Sequence, residues 1–293
     1  MTEILLPLLS LLLATLRMAT PMIFASMGGL LSERAGVVNI ALEGFMLVGA
    51  FTAAVVAFYT HSAWLAVVAA LGAGALIGAF YALFVLEFKG DQIVTGTAIN
   101  ILTIGAMPFF TKILFNSTGS TPSIPLEDRF NFEPIVLAFI LVASLTYWFY
   151  QTYSGLWLQF AGEHPEALAT AGINVRKVRW VSVVFSGSLA AVGGASLSTF
   201  LASSYSPLMT SGRGFMALAA LIFGRWKPLQ TCAACLFFGL TDALQIRLQG
   251  VQIAGTEVPV QFIQILPYLV TVVAVAGFFG KSESPKALGK VYE

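Results

Sequence analysis

Polar side chains stand inside long apolar stretches of this sequence, at positions where they could contact a solute. Glu43 follows Asn39 by four residues, so both side chains can share one helix face. Burying such groups without partners costs several kcal/mol, so each needs a partner or a function. Most are neutral hydrogen-bonding groups, which suits an uncharged polar solute better than an ion or a proton relay. We predict a substrate pathway formed by five of them: Asn39, Glu43, Gln92, Thr95 and Asn100.

The same polar groups also have a purely structural interpretation. Glu43 could form an ion pair with Arg17 or Arg34, and Asp242 could be capped by a serine or threonine hydroxyl. In that case the side chains would stabilise helix packing and would not touch a solute. The sequence leaves both interpretations open.

Motifs for catalysis and for metal binding are missing from the sequence. No GxxxxGKS/T segment is present to hold the phosphates of ATP, and no HExxH pair is present to hold zinc. Cys232 and Cys235 form a CxxC pair inside an apolar run, without a second pair or a neighbouring histidine, so we interpret them as packing residues. We predict a protein that is not an enzyme and has no metal site.

The polar stretch 162–173 predicts a short helix on the protein surface. Pro165 suits the first turn of a helix, and Glu163 and Glu166 suit its N-terminus. Alanines follow, and Gly172 is a suitable stop. The result would be a helix of about two turns whose small side chains could dock into a groove on a partner. The alternative is an ordinary amphipathic loop.

The composition places these polar groups in a membrane protein. Charged residues make up 10% of the chain and hydrophobic residues 58%, with a mean hydropathy of +0.86. Soluble proteins carry about 25% charged residues, so lipid must cover most of this surface. One crossing needs about 20 apolar residues. The sequence predicts nine apolar segments: 4–31, 41–60, 63–86, 91–115, 133–150, 178–201, 206–224, 228–248 and 262–280.

Lysine and arginine positions predict the orientation of the chain. With the C-terminus in the cytoplasm, the inside loops hold most of these residues, as the positive-inside rule requires. We predict a transmembrane domain over 1–280 with a cytoplasmic loop at 151–177, and a short, basic, loosely ordered cytoplasmic tail over 281–293. The first segment carries Arg17 and Pro21, and its division into two elements would instead place the N-terminus inside.

Two polar stretches, 32–40 and 203–214, interrupt the apolar pattern. Irregular backbone at membrane depth survives only where protein or a water-filled cavity surrounds it. Both stretches precede a similar phrase, Gly-Phe-Met-Leu at 44–47 and Gly-Phe-Met-Ala at 214–217, and nine spans would place these in opposite orientation. We therefore predict an all-α integral membrane protein of about nine transmembrane helices, with broken or re-entrant segments and an inverted internal repeat.

Three sequence blocks carry a family likeness: 31–50 (LSERAGVVNIALEGFMLVGA), 162–173 (GEHPEALATAGI) and 212–220 (GRGFMALAA). The chain resembles inner-membrane permeases of ABC importers in the ribose and branched-chain amino-acid group, most closely those for nucleosides. The second block is similar to the group's coupling helix. Leu168 stands where that group usually has alanine, and Ala41 stands where glycine is common.

The resemblance implies a set of partners. A second homologous permease would complete a heterodimer in the cell (inner) membrane, cytoplasmic ATPase subunits would bind ATP and magnesium, and an extracytoplasmic lipoprotein would deliver substrate. This chain would hold no cofactor and bind no nucleic acid. The residues that the resemblance assigns to coupling with the ATPase are Glu163, Pro165, Glu166, Ala167, Thr170, Gly172 and Ile173.

The function implied by the resemblance is transport of a nucleoside-like solute by alternating access, driven by the partner ATPases. A sugar such as ribose in the same type of system is the first alternative. An ion-coupled secondary transporter is the second, although it would need more intramembrane carboxylates. A membrane enzyme or a structural helical assembly protein is a third, and the missing nucleophile and metal motifs argue against an enzyme.

Overall fold

The computed structural model describes residues 2–249, 252–253, 256–257, 265 and 284–290, and this part is almost entirely helical. α3 and α8 each continue into a π-helical turn, Leu83–Glu87 and Leu197–Leu201. A 3-10 turn, Leu126–Asp128, precedes α5, and the strands Gln252–Ile253 (β1) and Thr256–Glu257 (β2) pair antiparallel. The helices are α1 (Thr2–Arg34), α2 (Leu42–Thr60), α3 (Ala63–Ala82), α4 (Gln92–Phe115), α5 (Glu133–Gln151), α6 (Tyr153–Glu163), α7 (Pro165–Thr170), α8 (Val175–Ser196), α9 (Arg213–Phe223) and α10 (Pro228–Leu248).

Seven helices of the described part are long and apolar enough to cross a membrane, namely α1, α2, α3, α4, α5, α8 and α10. The predicted segment 206–224 is not one continuous helix, because turns precede its helix, α9, which has 11 residues. Such a helix is about 16 Å long, whereas the hydrocarbon core is about 30 Å thick. The last predicted segment, 262–280, lies outside the described residues except for Ile265.

α8 lies at the centre of the bundle, packed against α1, α2 and α3. The helix is rich in glycine, alanine and serine, which lets neighbouring backbones approach closely. A Cβ added to Gly194 would overlap the carbonyl oxygen of Met46 on α2, and one added to Gly74 would overlap that of Gly187. Gly72, by contrast, has open space around it.

The helices run between two opposite ends of the bundle, and each end is named here after one of its residues. At the first, which we call the Arg34 end, Arg34 Nη1 lies 3.3 Å from Glu163 Oε1, and Arg34 Nε donates to the Trp226 carbonyl at 3.0 Å. At the opposite end, which we call the His61 end, the imidazole of His61 lies 2.7 Å from Asp128 Oδ2. Most lysines and arginines of the described connections lie at the Arg34 end.

α1 is one continuous helix, so the first segment is not divided. Its Pro21 is accommodated within the helix, and its Arg17 guanidinium lies 5.0 Å from the centroid of the Phe200 ring. α1 ends at the Arg34 end, so its N-terminus points the other way. Of the predicted tail, residues 284–290 are described, and they form hydrogen bonds at the Arg34 end.

Candidate functional site

The loop between α1 and α2, residues 35–41, is irregular backbone inside the bundle, and α4 satisfies it. Val38 N donates to Gln92 Oε1 at 2.7 Å. The amide of Asn100 bonds twice, accepting from Gly44 N at 2.8 Å and donating to Ile40 O at 2.9 Å. Gln92 and Asn100, two of the predicted pathway residues, therefore hold the loop in place. Their hydrogen bonds satisfy backbone groups that would be costly to leave unpaired at membrane depth.

Asn39 is completely buried at the middle of this loop. Its Nδ2 donates to Ser186 Oγ on α8 at 2.7 Å. Its Oδ1 is buried and has no hydrogen-bond partner among the described residues. Tyr81 also holds the loop, because its hydroxyl donates to Val38 O at 2.5 Å. Next to the loop, Glu33 Oε2 accepts from Trp226 Nε1 at 2.6 Å, which joins the end of α1 to the turn after α9.

Glu43, in the first turn of α2, binds the N-terminus of α9. Its Oε1 accepts from Gly212 N at 2.9 Å and its Oε2 accepts from Gly214 N at 2.7 Å. The carboxylate thus satisfies two amides that a helix start leaves free, and its charge complements the helix dipole. Glu43 pairs with neither Arg17 nor Arg34, the partners that the structural interpretation had considered.

Two helices, α2 and the short α9, meet at Glu43. From this point α2 runs to His61 at the His61 end, and α9 runs to Trp226 at the Arg34 end. The contact is close, because a Cβ on Gly214 would lie 2.5 Å from the Glu43 backbone nitrogen. The two similar phrases at 44–47 and 214–217 therefore begin helices that leave one meeting point in opposite directions.

Four of the five predicted pathway residues come together around loop 35–41, and Thr95 does not. The Thr95 hydroxyl donates to the Asp91 carbonyl of its own helix. Sequence reasoning missed Ser186, Tyr81 and Trp226, whose polar groups bond this assembly. Their only sequence signal was a hydrogen-bonding group within an apolar surrounding, which many other serines, tyrosines and tryptophans share.

Beside the meeting point, the surface of α9 is open. Arg213 Nη2 lies 4.0 Å from Asp242 Oδ2 on α10, so Asp242 has a cationic partner where a hydroxyl cap was considered. Leu208 and Phe215 are 55% and 48% exposed there. Such apolar exposure next to buried polar groups is typical of a surface that lipid or another subunit covers.

The predicted surface helix is present as α7, with Pro165 in its first turn and Gly172, at a φ of +82°, just after its end. Leu168 is 4% exposed and packs between Ala161 and Val175, so its bulk faces the protein. The opposite face is exposed and consists of Glu166, Ala167, Ala169, Thr170 and Ala171. Ile173 is half-buried.

Glu163 has a different place from the one expected. It ends α6 instead of starting α7, and its carboxylate faces Arg34. A shallow cavity of about 350 Å³ lies beside the end of α7, lined by Ala169, Gly172, Ile173, Asn174, Val175 and Arg176. Small residues next to a shallow cavity form a surface that a partner subunit can fit.

Chemical reaction centres are not apparent in the described part of the chain. No group of three His, Cys, Asp or Glu side chains there could hold a metal ion. Cys232 and Cys235 are free and buried, and the Cys235 sulfur lies 3.2 Å from Ser26 Oγ, between α10 and α1. They pack helices together, as their apolar sequence context suggested.

A multi-pass helical bundle, in which α2 and the short α9 meet and a small-residue helix lies at one end, has the architecture of a membrane transport component. The comparisons agree. Residues 11–275 match the family described as branched-chain amino acid transport system / permease component, and the chain belongs to this family.

Curated relatives cover almost the whole chain. The guanosine ABC transporter permease NupQ of Bacillus subtilis is 36% identical, covering 95% of each chain. The nucleoside ABC transporter permease NupC of Lactococcus lactis is 34% identical, covering 94% of this chain and 93% of its own. A Haloferax volcanii protein provisionally named as a glucose ABC transporter permease, TsgC13, is 31% identical, covering 95% of this chain and 96% of its own.

Proposed function

We propose that this chain is the permease subunit of an ATP-driven importer of nucleosides. The observation that carries the proposal is the junction at Glu43, where α2 and the short α9 meet inside the bundle of a chain similar to a guanosine permease and a nucleoside permease. Broken helices that meet at membrane depth are the elements that transporters use to bind and release polar solutes. Alternating access would then change how α2 and α9 meet.

Asn39 is the pathway residue best suited to bind the solute. Its Oδ1 is a buried acceptor without a partner in the described structure, which a sugar hydroxyl or a base amine could satisfy. Glu43, Gln92 and Asn100 would act by holding the backbone in place. Thr95, half-buried on α4, would line the approach.

We also propose nine crossings related by an inverted repeat. Seven are the long helices, and the eighth is residues 202–223, which return from the His61 end to the Arg34 end through α9. The apolar segment 262–280 is long enough for the ninth. α2 and α9 would be equivalent broken helices of the two repeats. The transmembrane domain would then span 1–280, with 281–293 as the cytoplasmic tail.

The exposed face of α7 would be the surface that receives the ATPase. Its small side chains permit close contact, while Leu168 anchors the helix to α6 and α8. The concentration of lysine and arginine at the Arg34 end favours a cytoplasmic location for this end, in the cell inner membrane. ATP and magnesium would be bound by the ATPase, and Glu166, Ala167 and Thr170 would make the contact.

Two further partners would complete the importer. A second, homologous permease would cover the open side of α9, where Leu208 and Phe215 are exposed beside the junction. A substrate-binding protein would dock on the loops of the His61 end. These loops present polar, exposed backbone of the kind that such a protein could contact, notably residues 116–120.

The test is uptake by the reconstituted complex in proteoliposomes. We expect ATP-dependent uptake of a radiolabelled nucleoside, and we expect that unlabelled ribose and glucose do not reduce this uptake. An ion gradient alone should drive no uptake. Replacing Ala167→Trp should abolish stimulated ATP hydrolysis, whereas the control Ala98→Trp, on an exposed face of α4, should not. Uptake without ATP would overturn the proposal, and competition by sugars would replace the nucleoside with a sugar.

A further inference from the structure

The carboxy-terminal residues 284–290 are bound to two different elements at the Arg34 end. The amide of Ala287 donates to the carbonyl of Gly162, near the end of α6, at 2.8 Å. The amide of Gly289 donates to the carbonyl of Gly36, in loop 35–41, at 3.1 Å. The tail therefore connects the element that leads into α7 with the loop that leads into the Glu43 junction.

Arg179 fixes this arrangement from inside. Its side chain, at the start of α8, is only 2% exposed. Its Nη1 donates to Lys290 O in the tail at 3.0 Å, and its Nη2 donates to Ala161 O in α6 at 3.2 Å. A Cβ on Gly36, which has a φ of +93°, would lie 2.8 Å from the same Nη2. One planar guanidinium thus positions the tail, the end of α6 and loop 35–41 together.

Other contacts also join these elements. Gly162 packs directly against the loop, because a Cβ added to it would lie 2.2 Å from Arg34 O and 3.1 Å from Gly36 N. The ion pair of Arg34 with Glu163 is partly exposed, with side-chain exposures of 15% and 35%, and exposed pairs contribute little. The Lys286 amide reaches Glu163 Oε2 only at 3.4 Å. The buried arginine and the tail backbone therefore add buried hydrogen bonds to the direct packing of α6 on the loop.

We propose that residues 284–290 and Arg179 tie α7 to loop 35–41, so that movement of α7 is passed to the Glu43 junction. Arg179 is a positioning residue in this arrangement, because it acts through the tail and α6 and touches no solute. The inference rests on the proposed function, since it assumes that an ATPase moves α7. It adds a role for the C-terminal tail in coupling ATP hydrolysis to transport.

The first experiment measures ATP hydrolysed per solute transported, in proteoliposomes holding the complete complex. Ala287→Pro removes the amide that bonds Gly162, and Arg179→Met removes the guanidinium but keeps an unbranched side chain. We expect each to raise the ATP-to-solute ratio by about tenfold, because each breaks hydrogen bonds of the tie. The controls Lys286→Ala, which keeps its backbone amide, and Lys177→Met, an exposed charge on α8, should keep the wild-type ratio.

The outcomes separate the two proposals. A wild-type complex without ATP-driven uptake would refute the proposed function. A wild-type complex that transports, together with Ala287→Pro and Arg179→Met variants that keep both its uptake rate and its ATP-to-solute ratio, would refute the tie alone. A loss of folding would lower uptake and hydrolysis together and would leave the ratio unchanged, so a second measurement uses variants with exposed substitutions.

The second experiment compares distances between spin labels in the nucleotide-free and ATP-bound complex. A label at Leu126→Cys, at the His61 end, is paired in turn with Glu166→Cys on α7 and Lys286→Cys on the tail; all three positions are exposed, whereas both native cysteines are buried. We expect the two distances to change together. A tail that stays in place while α7 moves would overturn the tie, and a motionless α7 would refute coupling through this helix.

Discussion

Replacing Glu43→Gln tests the junction of α2 and α9 most directly. The carboxylate accepts from Gly212 N at 2.9 Å and from Gly214 N at 2.7 Å, and both bonds are charge-assisted. A hydrogen bond to a charged group contributes about 1.5–3 kcal/mol, against about 1 kcal/mol for a neutral one. A glutamine has one acceptor oxygen, so it would keep one neutral bond and turn an amide group towards the second N–H.

The expected loss is about 3 kcal/mol, from one charged bond lost and a second reduced to a neutral bond. If an interaction of this size is present in only one state of the transport cycle, its loss changes the population ratio of the states by about a hundredfold. We therefore expect the initial rate of ATP-driven uptake in proteoliposomes to fall by at least about tenfold. The melting temperature of the purified protein should also fall.

Glu133→Gln is the matched control, because Glu133 is also an acidic residue in the first turn of a helix but is exposed at the start of α5. Its Oε2 accepts only a local bond, from Asn131 N at 2.7 Å, so the variant should keep wild-type uptake and lose less in melting temperature than Glu43→Gln. If Glu43→Gln behaved like Glu133→Gln in both measurements, the carboxylate would not be holding α9, and the argument from the junction would fail.

Two further substitutions test the surroundings of the junction. Gly214→Ala would place a Cβ 2.5 Å from the Glu43 backbone, so we expect uptake to be lost while Gly72→Ala, which has open space, transports normally; equal uptake by the two variants would contradict the close contact. Trp226→Phe removes the indole N–H that bonds the buried Glu33 carboxylate at 2.6 Å, and we expect about 2 kcal/mol of stability to be lost, seen as a lower melting temperature. An unchanged melting temperature would mean that this bond is replaced.

The long helices were predictable because each is a continuous apolar run bounded by polar residues. The segment 228–248 coincides with α10, and Pro165 begins α7 where proline is favoured in a first turn. The segment 206–224 was counted as one apolar segment, but its first residues, which include Pro207 and Gly212, form the turns that precede α9. Proline and glycine favour turns, so this part of the segment is not helical.

Partners in the site were not predictable from sequence spacing. Glu43 could be compared with arginines near it in the sequence, whereas its actual donors stand about 170 positions away and are backbone amides, which carry no residue signature. Leu168 is larger than the alanine usual at its position, and helix geometry turns it inward, against Ala161 and Val175. The face that a residue presents is decided by packing, which a single sequence without its partners does not contain.

The central position of α8 has a consequence for biosynthesis. The faces of α1, α2 and α3 that carry Gly28, Gly49 and Gly74 are shaped for the backbone of this one helix, and the ribosome makes it more than a hundred residues later than α2. Early helices must therefore wait in the bilayer, without their final neighbours, until Leu201 has been synthesised. A nascent chain that stops before Val175 would lack α8, the helix around which the others pack, and would be exposed to membrane quality control.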